Sequence, residues 1–151
     1  MQWSEPRTLI EGAGQQPYAK YASDGVRTIH MAFTQDHPRK KDDNSVYYAR
    51  YAEGAFRRAD GTIIASVDSL PFAPEDADLV YDASAEGARA WVWDVAFDDA
   101  GRPVIAYAVF PSDEDHRYRY ARWTGSGWSD TELTAEGAWF PTVGRYLSSY
   151  S

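Results

Sequence analysis

The chain has 151 residues, 44% of them apolar and 15% aromatic, with a formal net charge of −8. That length and apolar share allow one domain with a real core and exclude a disordered chain, while the acidic balance disfavours nucleic-acid binding, which calls for a basic face. Cys is absent, so neither a disulfide framework nor a thiolate metal site is possible, and no run approaches the ~20 apolar residues of a membrane span.

Met1-Gln2-Trp3-Ser4-Glu5-Pro6 has no apolar signal region. The expected location is therefore extracellular or periplasmic if the native gene carries an upstream signal, and cytoplasmic otherwise. Trp3-Ser4-Glu5 is similar to Trp128-Ser129-Asp130, and Trp3 is expected to open the outer strand of a preceding unit. Strand patterns then follow at 17–23, 27–34, 45–52 and 55–59, punctuated by Asp24-Gly25, Glu53-Gly54 and Asp60-Gly61. In 27–34, alternation sets Thr28, His30, Ala32 and Thr34 on one face and Ile29, Met31 and Phe33 on the other. Residues 66–90, rich in Asp, Ala, Pro and Glu, read as an extended connection with a helical turn at Pro74–Asp78. Strands recur at 91–97, 103–110, 117–124 and 127–133, and 142–151 is expected to begin a further unit.

These elements form a repeat. Gly25 to Phe33, Tyr48-Ala49-Arg50-Tyr51 and Phe56 map onto Gly101 to Val109, Tyr120-Ala121-Arg122-Trp123 and Trp128. Short strands recurring with an aromatic signature predict an all-β fold of four-stranded antiparallel β-propeller blades. The whole of 1–151 reads as a single propeller segment, with repeats near 15–61 and 91–133. At roughly 40–50 residues per blade it holds about three blades, fewer than the four to eight of a typical closed ring. The expected partners are the remainder of a longer propeller or further copies of the chain in a homo-oligomer.

The long connections carry the functional argument, because sites concentrate on variable loops of a rigid scaffold. The second-to-third connections, 35–44 and 111–116, are polar and expected at one rim together with 66–90. His37 and His116 fall in these equivalent stretches, with Arg39 and Lys40 beside one and Arg117 and Tyr118 beside the other. His serves as a base near neutral pH, Tyr as acid or base, and Arg neutralises a carboxylate. That set suits elimination on an acidic sugar, which needs the uronate carboxylate neutralised, a base for the adjacent C–H and an acid for the leaving oxygen. Trp91, Trp93 and Trp139 flank loops and are candidate sugar platforms.

Each feature has a plainer reading. The charged loop is also what a solvated loop looks like; Asp113-Glu114-Asp115 reads as a solvated run and His30 as a packed strand position. Tyr48 and Tyr120 read as packing residues, and Trp3, Trp123 and Trp128 as inter-sheet packing. Asp36, His37 and Asp42 offer ligands to a divalent metal without diagnostic spacing, and no cofactor is expected.

Asn44-Ser45-Val46-Tyr47-Tyr48-Ala49-Arg50-Tyr51 after His37-Pro38-Arg39, Gly101 to Tyr107, Asp115 to Trp123, and Trp139-Phe140-Pro141 together resemble the propeller proteins with bacterial-neuraminidase-type repeats. That group is related to ulvan lyases and similar polysaccharide lyases. The resemblance implies a seven-bladed propeller, a polysaccharide or oligosaccharide ligand, and β-elimination with His, Tyr and Arg in the site. It carries over to His37, Arg39, His116, Arg117 and Tyr118. The Asp-box of sialidases is not met, Ser23 to Thr28 being a distant echo, so a sialidase is disfavoured. The leading expectation is a polysaccharide lyase acting on a uronate polymer; the alternative is a glycan-binding or structural propeller module without catalysis.

Overall fold

The computed structural model describes residues 5–12, 14 and 17–136. The expected all-β architecture is present as two antiparallel sheets, the blades of a partial propeller. Trp3, Trp139 and 142–151 lie outside the described residues.

The first sheet is a meander of β1 (Tyr18–Ser23), β2 (Thr28–Thr34), β3 (Val46–Ala52) and β4 (Ala55–Arg57). Its first turn is built by one carboxylate: Asp24 Oδ1 accepts the N–H groups of Val26, Arg27 and Thr28, each at 2.9 Å. In the second, Glu53 and Gly54 both take positive φ, 54° and 76°, the signature of a hairpin turn that matches strand twist. β5 (Ile63–Ser66) pairs with β4, and β6 (Asp78–Tyr81) pairs with Val46–Tyr48 at the start of β3. One edge of β3 is thus shared between two short strands. The strand expected at 55–59 ends at Arg57; beyond it the Ala59 N–H donates to the Asp78 carboxylate at 2.6 Å, tying this segment to β6. The stretch read as an extended connection therefore contributes β6, and its expected helical turn is a 3-10 turn at Pro74–Asp76.

A single helical turn, α1 (Ala83–Glu86), capped by Asp82 and ended by Gly87 at φ 69°, leads into the second sheet. That sheet has the order β10-β9-β8-β7, with β7 (Arg89–Phe97), β8 (Pro103–Ser112), β9 (Asp115–Trp123) and β10 (Trp128–Glu136). Here the structure corrects the loop expected at 111–116. β8 and β9 run on until Ser112 faces Asp115, so the connection is a tight hairpin around Asp113-Glu114.

The sheets pack face to face, with β1 and β2 against β7. Between them Ala32, Val46 and Tyr48 meet Val92, Val95, Ile105 and Tyr107 in one buried cluster; full burial of such side chains contributes ~1.5–3 kcal/mol each. His30 sits in this seam as the packed residue expected of it. Its Nδ1 lies 2.6 Å from the Tyr48 hydroxyl, and its ring packs on Phe97 of the second sheet. Trp128 packs on Tyr48 with ring centres 5.2 Å apart, the inter-sheet role read from the sequence. The other face of the first sheet holds Met31, Phe33, Tyr47 and Ala49 under Phe72 and Ala77 of its own crossover segment.

Candidate functional site

Asn44 fixes the 35–44 loop to the second sheet. It is fully buried, and its side chain accepts the Asp36 N–H at 2.9 Å while its amide donates to the carbonyls of Asp36 (2.7 Å) and Ala90 (2.8 Å). Its own carbonyl accepts the Ala90 N–H at 2.8 Å. Side chain and backbone together thus staple the loop beside β7, one residue before Trp91. Arg89 makes a second tie, with ion pairs to Asp42 of the loop and Asp113 of the β8–β9 hairpin. The 35–44 loop and that hairpin therefore share one rim. Both carboxylates are exposed, so this tie is worth at most ~1 kcal/mol.

The staple brings His37 against Trp91. The Asp36 carboxylate accepts the His37 N–H at 2.7 Å, and His37 Nδ1 accepts the Arg39 N–H at 3.0 Å. An accepting Nδ1 leaves the proton of the neutral ring on Nε2. Burial, then the charges of Arg39 and Lys40, lower the His37 pKa from 6.5, so the ring is neutral at pH 7 and presents Nε2–H as a donor.

A row of rings continues from there. His37 lies 5.2 Å from Trp91, Trp91 6.2 Å from Trp93, and Trp93 6.3 Å from Tyr118, centre to centre. Tyr18 of β1 joins the near end, 5.7 Å from His37 and 5.2 Å from Trp91. Alternation puts Trp91 and Trp93 on the face opposite Ala90 and Val92, and a β-bulge between Val92 and Asp94 follows at the end of the row. Strict alternation after Ala90 and Val92 would bury Asp94; the extra residue puts Val95 in the core instead, next to Trp93, which is 44% exposed. The Asp94 carboxylate accepts the Val95 N–H at 2.8 Å, which holds the bulge.

The other predicted residues are placed differently. Arg39 and Lys40 are exposed next to His37. His116 stands inside β9, 5% exposed, edge-on to Phe110 at 4.8 Å; burial lowers its pKa despite Asp115 and Asp113. Arg117 lies on the opposite face of β9 from Tyr118, ion-paired with Asp115 at 2.8 Å and Glu132 at 3.6 Å. Among the described residues no three His, Asp or Glu side chains gather as a metal site, and no helix is long and apolar enough to cross a membrane.

The family model described as BNR repeat-containing family member matches residues 1–136. The chain belongs to that family. No curated protein matches it. Two solved structures similar to this BNR-repeat chain are of a polysaccharide lyase, a PL25 ulvan lyase, one of them bound to -[GlcA(1-4)Rha3S]-. Each superposes with a TM-score of 0.64 at 13% identity, covering 84% of this chain and 34% of the lyase. The BNR-repeat chain thus spans about a third of the length of the structures it matches, and the likeness is one of fold.

Two residues of the site escaped sequence reasoning. Tyr18 reads there as an ordinary strand residue, and Asn44 as the end of a polar loop. The available signal for Asn44 is its position two residues before the apolar Val46–Ala49 run, where a polar side chain becomes buried and must find partners.

Proposed function

We propose that the row His37–Trp91–Trp93–Tyr118 is a saccharide platform and that the chain is the substrate-holding blade pair of a polysaccharide-lyase-type propeller acting on uronate polymers. The observation that carries this reading is the ring row itself: four rings in sequence along one surface, Trp93 exposed and the others half-buried, beginning at a histidine flanked by Arg39 and Lys40. Pyranose rings dock through their apolar C–H faces on such rings, and the cations suit the uronate carboxylate.

β-Elimination breaks the C5–H and C4–O bonds of the uronate and forms a C4=C5 double bond. The proton from C5 passes to a base, and the departing oxygen takes a proton. With Nδ1 engaged by Arg39 N–H, His37 fits the donor roles, hydrogen-bonding the carboxylate or protonating the leaving oxygen. Tyr118, at the other end of the row, is the candidate for moving the second proton, and the buried His116 of the same strand face is a positioning candidate. Arg117 enters as an anchor of Asp115 and Glu132.

A second reading, glycan binding without catalysis, is favoured by the pairing of Arg117 with two carboxylates on the far face. One experiment separates the two: ultraviolet absorbance of the unsaturated uronate product across a panel of uronate polysaccharides, alongside calorimetric binding. Product formation lost in H37A and Y118F supports the lyase. Binding without product that falls in W93A supports the platform alone. Neither binding nor product refutes both.

A further inference from the structure

A second polar feature lies at the opposite end of the first sheet. A cavity of about 290 Å³ opens there among Asp24, Arg27, Arg50, Glu53, Arg57 and Gly61, at the small end of the ~300–1,000 Å³ of ligand pockets. β2 begins and β3 ends beside it, whereas the 35–44 loop joins the other ends of these strands.

The repeat supplies an internal comparison. Asp24 and Asp98 open equivalent turns: the Asp24 N–H donates to the Thr28 carbonyl, and the Asp98 N–H to that of Arg102. Each carboxylate also accepts backbone N–H groups of its own turn. Arg50 and Arg122 hold the same place in the Tyr-Ala-Arg-aromatic strands. In the second sheet Asp98 closes the corner, its Oδ2 accepting from Arg102 Nε at 3.0 Å and Arg122 Nε at 2.9 Å.

In the first sheet no carboxylate plays that part. Among the described residues, the Arg50 guanidinium makes no hydrogen bond or ion pair with another side chain, and its buried Nε has no acceptor. The Arg27 guanidinium likewise pairs with no carboxylate. Arg57 is partly engaged, donating to the Gly61 carbonyl at 3.2 Å with Glu53 3.6 Å away. Asp24 and Glu53 line the cavity beside these guanidiniums, and Asp60 and Asp78 act on Arg50 through space without bonding its Nε.

We infer that this corner binds a tetrahedral oxyanion of the sulfate or phosphate class, giving Arg50 the acceptor that Arg122 finds in Asp98. The donors come from three elements: Arg27 from the β1–β2 turn, Arg50 from β3 and Arg57 from β4. Oxygens at tetrahedral corners meet three such directions, whereas the two coplanar oxygens of a carboxylate match one planar fork. The site is independent of the saccharide platform, which lies on the other rim.

The test is an amide and arginine-Nε NMR titration with sodium sulfate, inorganic phosphate, a sulfated monosaccharide and glucuronate, at constant ionic strength set by chloride. Saturable shifts at Thr28, Gly61 and the Arg50 Nε–H are expected, with glucuronate at least tenfold weaker than sulfate. R50Q should weaken sulfate at least tenfold, and R27Q, in an exposed turn that does not touch the core, severalfold. R7Q, which removes a remote surface charge, should change nothing. Tighter binding of the sulfated sugar supports a polymer-borne group, and tighter phosphate a free anion. Non-saturable shifts, an equal loss in R7Q and R50Q, or glucuronate equal to sulfate would overturn the assignment.

Discussion

Tyr48→Phe removes a single oxygen from the seam between the sheets. That hydroxyl lies 2.6 Å from His30 Nδ1, and both residues are buried, Tyr48 at 0% and His30 at 4% exposure. Phe keeps the ring that packs on Trp128, so apolar burial is nearly unchanged. What remains is an imidazole nitrogen with no phenol to meet it. An unsatisfied buried polar group costs about 1–3 kcal/mol, and in a chain of this length each kcal/mol lowers Tm by roughly 2–4 °C. The expected loss is therefore about 1–3 kcal/mol in urea unfolding at neutral pH, with a Tm lower by roughly 2–12 °C. Because His30 and Tyr48 belong to the first sheet and Phe97 and Trp128 to the second, tryptophan fluorescence and far-ultraviolet dichroism should fall together. A variant within ~0.3 kcal/mol of the parent would refute the buried bond, and separated transitions would refute the single cooperative seam.

Asn44→Ala removes the loop staple; at ~0.5–1.5 kcal/mol per bond it should cost about 2–4 kcal/mol by denaturant titration and weaken saccharide binding even where folding is complete. Trp93→Ala, at a half-open position, should cost under ~1 kcal/mol in stability but at least tenfold in glycan affinity by calorimetry, a ratio that a packing role would reverse. All three His have pKa values lowered from 6.5, chiefly by burial. The folded state then binds fewer protons than the unfolded one below pH 6.5, so stability is fully present above that pH and is lost as pH falls through the folded values. Urea midpoints measured from pH 8 down to 5 should be flat and then decline. A rise on acidification would show that the sign is wrong.

The blade strands were legible because their signals are local. Asp24-Gly25, the alternation of 27–34 and the Tyr-Ala-Arg-aromatic repeat each specify a turn or a face within a few residues. The 111–116 hairpin was not, because Pro111 to His116 is as polar as a loop; only its pairing with a neighbouring strand makes it β, and that pairing is non-local. The double use of β3 by β4 and β6 has the same cause. For the site, ring type and rim position singled out His37, Trp91, Trp93 and Tyr118 in advance. The contact of His37 with Trp91 depends on Asn44 reaching Ala90, a non-local tie that has no local pattern. Arg117 illustrates the converse: its neighbour Tyr118 suggested a shared site, but period-two alternation sends adjacent side chains to opposite faces.

The repeat also allows a test in which the chain serves as its own control. Tyr48 and Tyr120 are equivalent in sequence. Tyr48 points into the seam, beside Ala32 and Trp128, whereas Tyr120 lies on the face of β9 opposite Ala121, away from that seam. Tyr48 is wholly buried, and Tyr120 is only partly covered. Truncation of a buried aromatic costs about 3–5 kcal/mol, and the cost follows how much of the ring is packed rather than the residue type. Tyr48→Ala should thus cost about 3–5 kcal/mol and Tyr120→Ala about 1–2 kcal/mol, the difference being the contribution of a covering sheet to one tyrosine. If the two cost the same at low protein concentration, Tyr120 must be covered as well as Tyr48 is. If its cost rises with protein concentration, a second copy supplies that cover, since association adds stability by mass action.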